Sequence, residues 1–133
     1  MTDLVFFYGT LMAAFRRQRG LSVDPRLTSC GRGSISAMLF DLGTYPAAVP
    51  AADSRVMGEV HRMARPDDLL RAFDEFEDVD PSKPDDSLYV RVEVPVTFED
   101  GRVDCAWVYF YNAPLERAER IASGDYLEYL TRR

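Results

Sequence analysis

What this chain has least of narrows its reading first. Lys83, His61 and Trp107 are the only lysine, histidine and tryptophan, and Cys30 and Cys105 are the only cysteines. Two distant cysteines without CxxC spacing, plus one histidine, supply too few close ligands for a zinc site. No metal is expected, and the cysteines read as small buried hydrophobes rather than a disulfide. No apolar run is long enough to span a bilayer, and no basic-then-apolar leader opens the chain. The expectation is a soluble, cytoplasmic protein. Acidic residues outnumber basic ones 22 to 16, a net charge of -6. That balance disfavours nucleic acid and anionic membrane as partners. No serine or cysteine stands in a nucleophile elbow, and no glycine-rich phosphate loop is present.

What is there suits one domain over residues 1–133, with 47% hydrophobic residues to build a core. Leu4 to Tyr8 reads as a buried first strand that stops at Gly9. A glycine there lets the backbone approach a neighbour closely, and exposed N–H groups in such a loop suit an anion. Met12 to Pro25, with Arg16, Arg17 and Arg19, reads as a loop or one helical turn. Ile35 to Leu42 is a strand ending at Gly43, and Tyr45-Pro46 a rigid corner. Val56 to Met63 is a further strand. Gly58 inside it signals a bulge or a close backbone approach.

A short helix follows, with Pro66 first and Asp67 and Asp68 in its opening turn. It should fail near Asp78, before a polar loop over Asp80 to Ser87. Val90 to Phe98 alternates with strict period two, Tyr89 and Arg91 lying opposite the valines. Glu99-Asp100-Gly101 turns the chain, and Val103 to Tyr111 returns apolar on both faces. Leu115 to Leu130 reads as one or two short helices broken at Gly124. This order argues for an α+β domain around a small mixed β-barrel with flanking short helices.

One acid stands out. At about 100° per residue, Leu69, Leu70, Phe73 and Phe76 form one helical stripe. Asp67, Asp68, Glu75 and Asp78 fall away from it, Asp74 lies at its margin, and Glu77 falls inside it. Burial of a carboxylate raises its pKa toward values useful in general acid/base work. The same placement also fits a Glu77 that pairs with an arginine such as Arg91, or one that reaches water from a frayed helix end. Tyr89 and Arg91 are read either as surface packing or as the lining of a pocket. The aromatics Trp107, Tyr109 and Tyr111 are read as core, with one hydroxyl able to reach a ligand. His61 is read as structural or exposed.

Tyr8-Gly9-Thr10-Leu11 after the first strand, Phe73-Asp74-Glu75-Phe76-Glu77, and Tyr89-x-Arg91 opening a valine-rich strand resemble the gamma-glutamylcyclotransferase-like family. Gly43-Thr44-Tyr45-Pro46, Gly58-Glu59-Val60, Trp107-Val108-Tyr109 and Ser123-Gly124-Asp125-Tyr126 extend the resemblance through nearly the whole chain. It implies a small barrel whose Tyr8–Leu11 loop holds a γ-glutamyl group by its backbone, with Glu77 as acid/base. Tyr89, Arg91 and Tyr109 join Tyr8, Gly9, Thr10 and Leu11 as expected substrate-binding residues. Two departures bear on rate and substrate: Thr10 where the family often has serine, and Asp78 where a glycine usually follows the glutamate. The implied enzyme is a cofactor-independent lyase or acyltransferase that releases 5-oxoproline and an amine from a γ-glutamyl amide. A non-catalytic small-molecule binding module on the same barrel is the alternative, and a structural or oligomer-forming domain a third reading. A monomer or homodimer is expected.

Overall fold

The computed structural model describes residues 2–9, 25–43, 46–76, 82 and 87–131. Strands are β1 (Leu4–Phe7), β2 (Leu27–Asp41), β3 (Pro46–Met63), β4 (Tyr89–Phe98), β5 (Val103–Tyr111) and the two-residue β6 (Glu119–Arg120). Helices are α1 (Pro66–Phe76) and α2 (Tyr126–Thr131).

The sheet runs β3-β1-β5-β4-β2-β6, and β3 also pairs with β2, which closes a five-stranded barrel with β6 attached outside the ring. Only β1 and β5 are parallel among these neighbours, with Val5 opposite Trp107. The expected mixed α+β barrel is the fold. Closure removes free edges, so a strand as short as β1 stays fully buried, from Leu4 to Phe7. Phe6, Ile35, Leu39, Val56, Val60, Val96 and Val108 are among its largest fully buried side chains.

Two strands are longer than their composition suggests. β2 begins at Leu27 and β3 at Pro46, well before the expected Ile35 and Val56. The added segments, Thr28 to Ser34 and Ala47 to Ser54, are small, polar or proline-containing and carry weak strand signals. They are strands because each pairs with the strongly patterned half of the other strand: Thr28 to Ser34 lies against Met57 to Arg62, and Ala47 to Pro50 against Ala37 to Phe40, in one antiparallel ladder. The register jumps between Ser36, opposite Arg55, and Ala37, opposite Pro50, so residues 51–54 bulge from β3. Pro50 is tolerated at that irregularity.

The β4–β5 hairpin has the expected turn, with Tyr89 opposite Tyr111 and Thr97 opposite Val103. Burial of β5 is uneven. Ala106 to Phe110 is buried or half-buried, whereas Val103, Asp104 and Cys105 are exposed near the turn. Cys105 is therefore not a buried hydrophobe, and Cys30 is only half-buried; both are free thiols. The tail holds one helix rather than two. It starts where Asp125 caps it, accepting the Glu128 N–H at 3.2 Å, and the segment before Gly124 forms β6 and turns instead.

α1 packs on the outer wall of the barrel. Leu69, Leu70 and Phe73 are buried, and Phe73 meets Phe7 of β1 edge-on with ring centroids 5.3 Å apart. Each such side chain contributes about 1.5–3 kcal/mol by leaving water. Asp67, Asp68 and Glu75 face solvent, as the helical stripe requires. His61 is buried on this wall beside Phe7, its Nε2 3.2 Å from Glu59 Oε1.

Candidate active site

The site lies where the end of β1 meets the start of β3, the hairpin β4–β5 and the last turn of α1. Tyr8, directly after β1, is buried. Its hydroxyl donates to the backbone oxygen of Tyr109 on β5 and sits 3.4 Å from the Ala48 N–H on β3. Gly9 follows in close contact with the same strand: a Cβ there would stand 2.6 Å from Pro46 Cγ. Tyr8 and Gly9 are thus packed against β5 and the start of β3. Pro46 is held in turn by Tyr89, whose hydroxyl donates to the Pro46 oxygen at 3.0 Å. Tyr89 also packs edge-on against Tyr111, directly opposite it in the hairpin.

Arg91 and Tyr109 are paired across the same hairpin. Both converge on Asp74 of α1. Arg91 donates from Nε to Asp74 Oδ1 at 2.9 Å and from Nη2 to Oδ2 at 3.2 Å. The Tyr109 hydroxyl donates to Oδ1 at 2.7 Å. The guanidinium also lies over the Trp107 ring, 4.6 Å from its centroid. Such a fork, stacked on an indole, uses the planar geometry that arginine has and lysine lacks. It also answers the cost of burying Asp74, which is only 7% exposed.

Of the expected site residues, Tyr8, Gly9, Tyr89, Arg91 and Tyr109 are thereby brought together. Thr10, Leu11 and Glu77 lie outside the described residues, as do Asp78, the arginines at 16, 17 and 19, and the Thr44-Tyr45 corner. Arg91 is engaged by Asp74. Asp74 is the residue that helical periodicity passed over, because it sits at the margin of the apolar stripe. The readable signal was the facing hairpin, which sets an arginine and a tyrosine opposite one another with no acid between them. Among the described residues no cluster of three or more His, Cys, Asp or Glu could hold a metal ion. No helix among them is long and apolar enough to cross a membrane.

Solved structures share this barrel. YkqA from Bacillus subtilis superposes with a TM-score of 0.71 at 23% identity over 98% of this chain. This chain spans only 42% of that protein. The protein ytfP from Escherichia coli is 27% identical, with a TM-score of 0.63 and coverage of 95% of this chain and 97% of its own. An AIG2-like protein from Mus musculus is 22% identical with a TM-score of 0.65, covering 86% of this chain and 80% of its own. A search of curated protein sequences gave no match. The sequence profile of the family described as "Gamma-glutamyl cyclotransferase, AIG2-like" matches residues 5–128, which reaches all six strands and includes every candidate site residue. The chain belongs to that family.

Proposed function

We propose that this protein is a γ-glutamyl cyclotransferase. It would convert a γ-glutamyl amide into 5-oxoproline and a free amine, with Glu77 as general base and then general acid. The observation that carries this reading is the family match over residues 5–128, with the expected loop, hairpin and helix residues all present in order. The described part of the site supports it: Tyr8 and Gly9 are fixed at the barrel end beside Tyr89, Arg91 and Tyr109.

The substrate carries its own nucleophile. Glu77 takes a proton from the α-ammonium, and the freed amine attacks the γ-carbonyl carbon of the same molecule. A ring C–N bond forms, and the tetrahedral intermediate then breaks the original amide C–N bond. Glu77 returns the proton to the departing nitrogen, and the extra proton left on the ring nitrogen passes to the freed amine or to solvent, so protons and electrons balance without any other reactant. Ring closure of this kind gains chiefly from holding the amine against the carbonyl, the task of a shaped pocket. Backbone N–H groups of Gly9, Thr10 and Leu11 are assigned to the substrate carboxylate, and Tyr89, Arg91 and Tyr109 to the pocket wall. Glu77 also favours an enzyme over a binding module, which would be served as well by an apolar residue there.

The test is 5-oxoproline release from a panel of γ-glutamyl amides by the wild type and by Glu77→Gln, which keeps shape and loses basicity. Release by the wild type and a loss of about a hundredfold or more in kcat for the variant are expected. Equal release by the two proteins would sink the assignment of Glu77. Stabilisation by glutamate or 5-oxoproline with no turnover of any amide would favour the binding module.

A further inference from the structure

We propose that Asp74 is a positioning residue for this site: without touching substrate, it holds Arg91 and Tyr109 in the orientation in which they meet it. The inference rests on the reading above, in which those two side chains form part of the pocket wall.

Three protein donors converge on this one buried carboxylate, from Arg91 Nε, Arg91 Nη2 and the Tyr109 hydroxyl. Those contacts fill most of the acceptor positions a carboxylate has. Asp74 is therefore spent on its neighbours. What it does for them is specific. Arg91 is long and flexible, and a fork to Asp74 on one side with Trp107 beneath it fixes both the position and the plane of its guanidinium. The Tyr109 ring is set by a hydroxyl that reaches Asp74 at 2.7 Å and lies 3.5 Å from the Leu70 oxygen, one turn earlier on the same helix.

The same residue carries the constraint onward. The backbone oxygen of Tyr109 accepts from the Tyr8 hydroxyl, so its side chain is tied to α1 and its main chain to the loop after β1. Asp74, Tyr109, Tyr8 and Ala48 thus form one connected path across α1, β5, the first loop and β3. A purely structural ion pair would need the fork alone. The shared oxygen, accepting from both Arg91 and Tyr109, couples the orientations of the two proposed wall residues to each other.

The experiment measures kcat and KM for 5-oxoproline release by the wild type, Asp74→Asn, Tyr109→Phe and the double variant, each confirmed folded by its melting curve. Asp74→Asn is expected to raise KM roughly tenfold while kcat stays within about twofold, as when binding geometry rather than the reacting group is disturbed. Tyr109→Phe should raise KM alone, and should add little in the Asp74→Asn background because the two act through one bond. An unchanged KM in folded Asp74→Asn overturns the proposal, and so does a fall confined to kcat. If Asp74→Asn does not fold, the KM of Tyr109→Phe decides in the same way. If the wild type turns over no γ-glutamyl amide, the cyclotransferase reading fails separately. The positioning role is then read from calorimetric Kd values for glutamate and 5-oxoproline. A roughly tenfold weaker Kd in Asp74→Asn, or in Tyr109→Phe, upholds it. Equal affinities, or no binding by the wild type, overturn it.

Discussion

Arg91 and Asp74 meet as a two-point fork, Nε to Oδ1 at 2.9 Å and Nη2 to Oδ2 at 3.2 Å, with only 20% and 9% of their side chains exposed. A pair so far from water is worth little net against well-packed apolar residues, but breaking one half strands the other. Arg91→Met should therefore cost about 3 kcal/mol, because the Asp74 carboxylate stays buried without its cation. Adding Asp74→Leu to that variant should restore much of the loss, since the uncompensated charge is gone. Chemical denaturation of the two single variants and the double variant measures the coupling. Strictly additive losses would show that the pair is not the unit described.

The Tyr8 hydroxyl is the next link. It donates to the Tyr109 oxygen and is approached by the Ala48 N–H at 3.4 Å, all in the interior. Tyr8→Phe keeps the ring and removes only that bridge. A loss of about 1–2 kcal/mol is expected, the usual cost of removing one buried partner. Under the proposed function the same variant should also raise KM, because the loop it anchors is the one assigned to the substrate carboxylate. Melting temperature and steady-state kinetics check the two effects separately.

Much of this arrangement could be read before any coordinates, and the parts that could not share a cause. β1, the hairpin and α1 declare themselves by local pattern: an apolar block, period-two alternation, and a helical stripe through Leu69, Leu70 and Phe73. The first halves of β2 and β3 do not. Thr28 to Ser34 becomes a strand by pairing with Met57 to Arg62, and Ala47 to Pro50 by pairing with Ala37 to Phe40, partners that local propensity does not report. Asp74 escaped for the same reason. Its burial is decided by Arg91 and Tyr109, which arrive from a hairpin well along the chain. The alternation in β4 also misled in part. Tyr89 is buried while Val92 is 39% exposed, because Tyr89 packs against Tyr111 and Pro46 while Arg91 is held by Asp74 and Trp107. Tyr8, Gly9, Tyr89, Arg91 and Tyr109 were singled out by sequence, and the fold gathers them at one end of the barrel.

The hairpin turn gives a prediction in pH. The Arg102 backbone N–H donates to Asp100 Oδ1 at 3.0 Å, and the Arg102 Nε to Oδ2 at 2.8 Å. The backbone bond chiefly, assisted by the guanidinium, holds the Asp100 carboxyl below its ordinary value. A carboxyl whose folded pKa lies below its unfolded one stabilises the fold above the ordinary carboxylate range, and that contribution is lost as pH falls through the folded value. Asp100→Asn should therefore melt slightly below the wild type at neutral pH, with the gap closing in acid. The effect is small because Asp100 is fully exposed. A gap that widens toward low pH would contradict the sign.

Gly9 and Gly58 separate site from scaffold by the same substitution. At Gly58 a methyl group would collide with the Phe7 backbone oxygen and the Phe6 ring, where β3 pairs alongside β1. Neither obstacle can step aside without moving a buried strand. Gly58→Ala should cost about 3 kcal/mol, lowering the melting temperature by roughly 10 °C. At Gly9 the obstacle is the Pro46 ring, with Cγ 2.6 Å and Cδ 3.1 Å from the new methyl position. Pro46 is the first residue of β3 and the acceptor of the Tyr89 hydroxyl, so displacing it disturbs the wall beside the loop rather than the barrel centre. Gly9→Ala should therefore lose only about 1–2 kcal/mol of stability but most of the 5-oxoproline release. If Gly9→Ala keeps full release while Gly58→Ala unfolds, the loop after β1 is scaffold, and the substrate must be held elsewhere.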